Sequence, residues 1–235
     1  MQLDDVMTAL AAKGSEATKR IFLKHGAKEP FFGVKVADLK TIAKKIKGDQ
    51  SLALELYATG NGDAQYLAGM VADGAKMSRR ELQTWADRAG WRMISNTIVS
   101  WVASENPDGL ALALRWIDAK KEPLAQAGWS TLGAWVTTHA DAELDMKLLT
   151  ALLERVTKTI HAQPDRVRQQ MNYFVIAVGT YVAPLGDKAI AAARQIGRIA
   201  VDVGDTDCRI PDAESYIMKS RRGAPSAPKR ATVRC

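Results

Sequence analysis

Val36-Ala37-Asp38-Leu39-Lys40-Thr41-Ile42-Ala43-Lys44-Lys45-Ile46-Lys47 is the stretch that decides the fold class. Leu39, Ile42, Ala43 and Ile46 recur at i, i+3, i+4 and i+7, the spacing of a helix with one buried stripe, and Lys40, Lys44, Lys45 and Lys47 take the other faces. The same period returns at Leu148, Leu149, Leu152, Leu153 and Val156, and at Ala189, Ala193, Ile196 and Ile199. Between such segments stand short breaks that combine helix stops and starts: Gly60-Asn61-Gly62-Asp63, Asp73-Gly74, Met77-Ser78, Asn106-Pro107-Asp108, Glu122-Pro123 and Gln163-Pro164-Asp165. Phe31-Phe32-Gly33-Val34 is too short a β-prone run to change the class.

About twelve helices follow from this pattern, and they fall into pairs: 49–59 with 62–73, 78–88 with 91–103, 106–118 with 122–138, and 143–160 with 165–183. Amphipathic helix pairs of this length are the footprint of a curved α-solenoid of HEAT-like pairs. No residue-level repeat aligns, and the competing all-α reading is a compact, non-repeating bundle. Residues 1–218 are expected to form one helical-repeat domain. Residues 219–235, rich in Pro, Gly, Ser and Ala, are expected to be a basic, flexible tail.

The chain has 235 residues, 47% of them hydrophobic and 25% charged, ordinary values for a globular protein with a sizeable core. Two cysteines, Cys208 and Cys235, leave no disulfide scaffold; the first reads as a partly buried thiol, the second as a terminal free one. No apolar run reaches 18 residues, and the first ten carry two acids and no basic segment. A cytoplasmic protein without a membrane partner is the expectation.

The net charge of +7 is unevenly placed. Lys219, Arg221, Arg222, Lys229, Arg230 and Arg234 crowd the last stretch without an acid, and ten basic residues face three acids between Lys13 and Lys47. The rest of the chain is net acidic. Such asymmetry suggests a polyanionic partner, most simply nucleic acid.

Signatures of chemistry are few. His25, His139 and His161 lie far apart and at no ligand spacing, so no metal is expected. Phosphate-binding glycine loops and nucleophile elbows are missing, and no cofactor is expected. All six tryptophans fall between Trp85 and Trp135 and suit packing between helices. Trp91 stands apart because it opens a helix after Ala89-Gly90 and has Ser95 one turn later on the same face. The segment from Asp165 to Tyr173 sets Arg168 against Asn172 and Gln169 against Tyr173 at i, i+4. Those side chains suit either nucleotides or a helix interface.

Phe31-Phe32-Gly33-Val34-Lys35-Val36-Ala37-Asp38-Leu39-Lys40 resembles the opening motif of the AlkD-type DNA alkylation-repair proteins, which are HEAT-like-repeat DNA glycosylases. The likeness runs on through Asp63-Ala64-Gln65-Tyr66-Leu67-Ala68, the Trp91 helix and the Arg168-to-Tyr173 helix, covering most of residues 15–200. It implies a basic concave face that holds double-stranded DNA, damaged or distorted. It also implies, in active members, metal-independent and monofunctional excision of alkylated purines by aromatic side chains and an aspartate. Trp91 matches the first family tryptophan and Tyr173 the position of the second. Ser95 falls where the catalytic aspartate is implied, so this chain looks like a subgroup lacking it. The family arginine has no clean counterpart near Ala125–Ser130.

A hydroxyl cannot replace an anion that opposes oxocarbenium charge, so catalysis of the family type would need another acid, with Asp63 and Glu105 the candidates. The functional expectation is therefore a monomeric DNA-binding protein, nucleoid-associated when bound. Lys35, Lys40, Lys44 and Arg168 are expected on phosphates, Trp91, Ser95 and Tyr173 at the lesion site, and the tail as an added arm. The alternative is a helical-repeat protein–protein scaffold.

Overall fold

In the computed structural model, residues 1–204 and 206–234 are described. They form thirteen α-helices, and the sole β feature among them is an isolated bridge between Gly14 and Val34. The all-α class follows the sequence closely. The expected 49–59 and 62–73 are α4 (Gln50–Ala58) and α5 (Gly62–Val71), after α1 (Leu3–Lys13), α2 (Glu16–Lys24) and α3 (Val36–Lys45). α6 is Arg79–Asp87, and α7 is Ser100–Ser104, the last turn of a segment whose middle, Ile94–Val99, is π-helical. Then come α8 (Gly109–Trp116), α9 (Glu122–Thr138), α10 (Met146–Thr159), α11 (Asp165–Tyr181), α12 (Gly186–Ile196) and α13 (Ala213–Arg221).

The breaks work by capping. Asn61 Oδ1 accepts the N–H groups of Asp63 and Ala64, Ser78 and Glu81 form a reciprocal capping box, and Asp145 accepts from Lys147 and Leu148. Asn106 is buried and donates its amide to the carbonyls of Gly74 and Met77, both at 2.7 Å, which ties one inter-helix loop to another. The tryptophans pack as expected. Trp85 stacks on Tyr57 at 3.9 Å, Trp101 meets Tyr66 edge-on, and Trp129 lies against Phe174. Burial pushes the Tyr57 phenol well above its ordinary value; its hydroxyl donates to the Trp85 carbonyl.

By internal contacts the chain divides into two compact units, with the boundary inside α8. One is Met1–Leu112 with Gly204–Thr206; the other is Ala113–Val203 with the chain from Asp207 onward. In the first unit α5 is the central helix, buried from Gly62 to Gly69 and again at Val71, with α3, α4 and the π-helical segment around it. In the second unit α11 has that place. It packs along α9, and on its other side against α13, while α12 touches both α11 and α13.

α13 runs parallel to α11. Asn172 donates to the Pro211 carbonyl just before α13, and Ile217 sits on Gly179, where a Cβ would lie 2.4 Å from the Ile217 side chain. Arg221 then donates through Nε to the Gly179 carbonyl at 2.7 Å.

The C-terminal segment differs from the expected free arm. After Arg221 it lies across the C-terminal ends of α11 and α9. The Ala227 N–H donates to Thr180 at 2.7 Å, the Arg230 N–H to Thr137 at 3.0 Å, and Lys229 Nζ to Val136 at 2.8 Å. Lys229 also pairs with Asp141 at 2.9 Å. The last carbonyls of a helix lack intrahelical partners and sit at its negative end, so N–H donors and cations are what that site requires. Composition shows that this segment lacks a core stripe; it does not show that two helix ends need donors.

Arg221→Ala should therefore lower the unfolding free energy by about 2 kcal/mol through loss of a buried, charge-assisted hydrogen bond. The urea midpoint measures this, and an unchanged midpoint would fit a loose arm instead.

Candidate nucleic-acid interface

The Phe31–Val34 motif is shaped by one carboxylate. Asp63, on the first turn of α5, is 3% exposed and accepts three backbone N–H groups: Oδ2 from Phe32 (2.6 Å) and Gly33 (2.9 Å), Oδ1 from Val34 (3.1 Å). Burial pushes its carboxyl above the usual carboxylate range, against the pull of those three donors and Lys19. Gly33 is required by the same turn. Its φ is +79°, and a Cβ there would lie 2.7 Å from the Lys19 nitrogen and the Ser15 oxygen.

Above this turn sits an aromatic cluster. The Phe22 ring is 5.4 Å from Trp91 and 6.1 Å from Phe31. Val36, Leu39, Tyr66 and Met93 close the cleft around them. It encloses about 10 Å³, room for no more than a single water, so no nucleobase enters it. Trp91 is thus a packing residue with one edge at the surface, 8% exposed. Arg92 fastens this helix start to the end of α2, donating from Nε to the His25 carbonyl at 3.0 Å, with Nη2 2.8 Å from His25 Nδ1. Sequence reasoning passed over Arg92 because its partner is 67 positions away.

Ser95, expected at the lesion site, is completely buried. Its N–H donates to the Trp91 carbonyl, and its hydroxyl can donate to the Arg92 carbonyl (3.2 Å) or Asn96 Oδ1 (3.0 Å). The helix turns π-helical at Ile94, and Ser95 faces inward with Ile94 and Ile98. Neither candidate substitute acid faces Trp91 unoccupied. Asp63 spends both oxygens on the turn, and Glu105 accepts from the Gly74 N–H.

Lys35, Lys40 and Lys44 are exposed on α3 and just before it, while Leu39 and Ile42 bury the opposite side. Lys40 and Lys44 lie at i, i+4 and form no ion pair among the described residues; the neighbouring Asp38 is taken by Lys13 at 3.5 Å.

In the second unit Arg168 has a different task from the phosphate contact expected. Its guanidinium donates to the carbonyls of Ala200 and Gln163 (2.9 Å to the latter) and lies 3.4 Å from Asp165. Asp165 accepts the Asp202 N–H and Asn172 holds Pro211, so the stripe Asp165–Arg168–Asn172 pins the long loop between α12 and α13. Tyr173 is 39% exposed; its hydroxyl accepts from Nε2 of the buried Gln169, which in turn accepts from Arg166. Cys208 is exposed rather than partly buried; Cys235 lies outside the described residues. No cluster of three metal-ligating side chains occurs among the described residues, and no single helix is long and apolar enough to cross a membrane.

Residues 6–201 match the family described as DNA alkylation repair enzyme. The chain belongs to that family. It is 32% identical over 224 residues to the uncharacterized protein Lin0241 of Listeria innocua, and 31% identical to Lmo0209 of Listeria monocytogenes. Each comparison covers 93% of this chain and 96% of the relative. It is also similar, at 37% identity and a TM-score of 0.91 with both chains fully covered, to a solved structure described as "a new family of proteins related to the HEAT-like repeat DNA glycosylases with affinity for branched DNA structures". The HEAT-like class read from the helix pairs is therefore the fold of this family.

Two substitutions test these assignments. Asp63→Ala leaves three N–H groups without acceptors and should cost about 3 kcal/mol or more in chemical denaturation. Ser95→Asp places a carboxylate in an apolar interior. It should destabilise by several kcal/mol, roughly 3 or more, and yield no base excision from alkylated DNA.

Proposed function

We propose that this chain binds branched or otherwise distorted duplex DNA as a monomer and does not excise bases. The observation that carries the reading is the full-length likeness to a protein family described by its affinity for branched DNA. The chemistry around Trp91 supports the second half. Excision of an alkylated purine develops positive charge on the sugar, and an anion beside it lowers that barrier. Here the matching position holds a buried, neutral hydroxyl, and the carboxylate that lines the Trp91 cleft, Asp63, is consumed by backbone donors.

Affinity in this reading comes from cations. Lys35, Lys40 and Lys44 stand in solvent, and each phosphate they neutralise releases counterions. Branch points bring phosphates of several arms together and so favour such a surface. The reading places the protein in the cytoplasm, at the nucleoid.

Binding of the full chain to a four-way junction and to a duplex of equal length should fall steeply with salt. Replacing Lys35, Lys40 and Lys44 with Gln should flatten the log–log slope by about 0.9 for every phosphate contact removed. An affinity independent of salt overturns the binding reading. Release of purine base from alkylated DNA, scaling with protein concentration, overturns the non-excising one.

A further inference from the structure

We propose that α13, which lies beyond the family match, presents Tyr216 as a stacking platform for unpaired nucleotides at a branch point. The inference rests on the DNA-binding reading above.

The placement follows from the neighbours of α13. Ala213 and Ile217 are its buried residues toward α11, with Ile217 on Gly179. Glu214 pairs with Arg194 at 2.7 Å, Arg221 lies 3.7 Å from Asp187, and Met218 borders the same hollow, so those three look toward α12. On a helix with one flank toward α11 and the next toward α12, Tyr216 and Ser220 fall on the flank away from α12. Tyr173 occupies the corresponding stripe of α11. Phe174 and Ala177 lie toward Gly133 of α9, Gly179 lies toward Ala189 of α12 and Ile217 of α13, and Tyr173 is left uncovered. The two tyrosines thus stand on one side of adjacent helices, whose axes pack roughly 8–10 Å apart.

Tyr216 is 49% exposed, and its side chain has no ring or hydrogen-bond partner among the described residues. An aromatic face left in water, on the flank of a helix anchored by Ala213, Ile217 and Arg221, is the kind of surface on which a base stacks. Charge selects the partner. Lys219 and Arg222 are exposed without an ion pair among the described residues, whereas the nearby acids are occupied, Glu214 by Arg194 and Asp212 by the Ser215 N–H. Uncompensated cations beside an exposed ring suit a phosphate backbone carrying unstacked bases. A fully paired duplex hides its base faces; a branch point exposes them.

The test compares wild type, Tyr216→Ala and Tyr216→Phe for binding to a three-way junction with unpaired thymines at the branch and to a matched duplex. Tyr216→Ala should weaken junction binding roughly ten-fold, change duplex binding less than two-fold, and leave the unfolding midpoint unchanged; Tyr216→Phe should retain junction binding. A fluorescent base at the branch should be quenched by wild type and not by Tyr216→Ala. Junction affinity of Tyr216→Ala within two-fold of wild type, or an equal loss on duplex, overturns the proposal while leaving DNA binding intact. Failure of wild type to bind either DNA overturns both readings.

Discussion

A helix buried along most of its length cannot rely on water to satisfy its terminal N–H and C=O groups, and each unit of this protein is built around one such helix. α5 and α11 are buried over most of their length. At the start of α5, Asn61 accepts two of the free N–H groups, and Asp63 turns outward to gather the three N–H groups of the Phe32–Val34 turn. At the end of α11, Arg221 and Ala227 supply donors to Gly179 and Thr180. At the start of α5 a helix side chain thus satisfies the motif that opens the family likeness, and at the end of α11 the basic C-terminal segment satisfies the helix.

That requirement consumes polar residues that would otherwise read as functional. Asp63, Arg168, Asn172, Arg221 and Lys229 have the charge or hydrogen-bonding capacity of a binding site, yet each is spent on backbone groups. The side chains left over are informative for the same reason. Lys40, Lys44, Tyr173 and Tyr216 face water without ion pairs or buried acceptors, and their retention at the surface is explained by neither packing nor capping. A buried polar group costs free energy unless it is paired, whereas an exposed cation or ring costs little and stabilises little. The leftover set is therefore where contact with another molecule is best sought.

Helix pairs were legible in the sequence because their caps are local. Asn61, Ser78 and Asp145 sit within three residues of the N–H groups they satisfy, and a reader of the chain sees both partners at once. The docked C-terminus was not legible, because the carbonyls of Val136, Thr137 and Thr180 are distant in sequence from Lys229, Arg230 and Ala227. Arg168 was ambiguous for the same reason. Its spacing to Asn172 identified a shared helix face but not the loop carbonyls that face meets. Trp91 and Ser95 were correctly placed one turn apart, yet the spacing gives no depth, and both proved to be inside.

The inward turn of Ser95 bears directly on chemistry. A carboxylate useful to excision must be close to the sugar yet remain ionised, which demands either solvent or fixed donors around it. At this position the neighbours are Ile94, Ile98 and the carbonyls of the preceding turn, which are acceptors that repel an anion. Restoring an aspartate would thus recover the residue without recovering its environment: the acid would be driven toward its neutral form or would force the π-helical segment to rearrange.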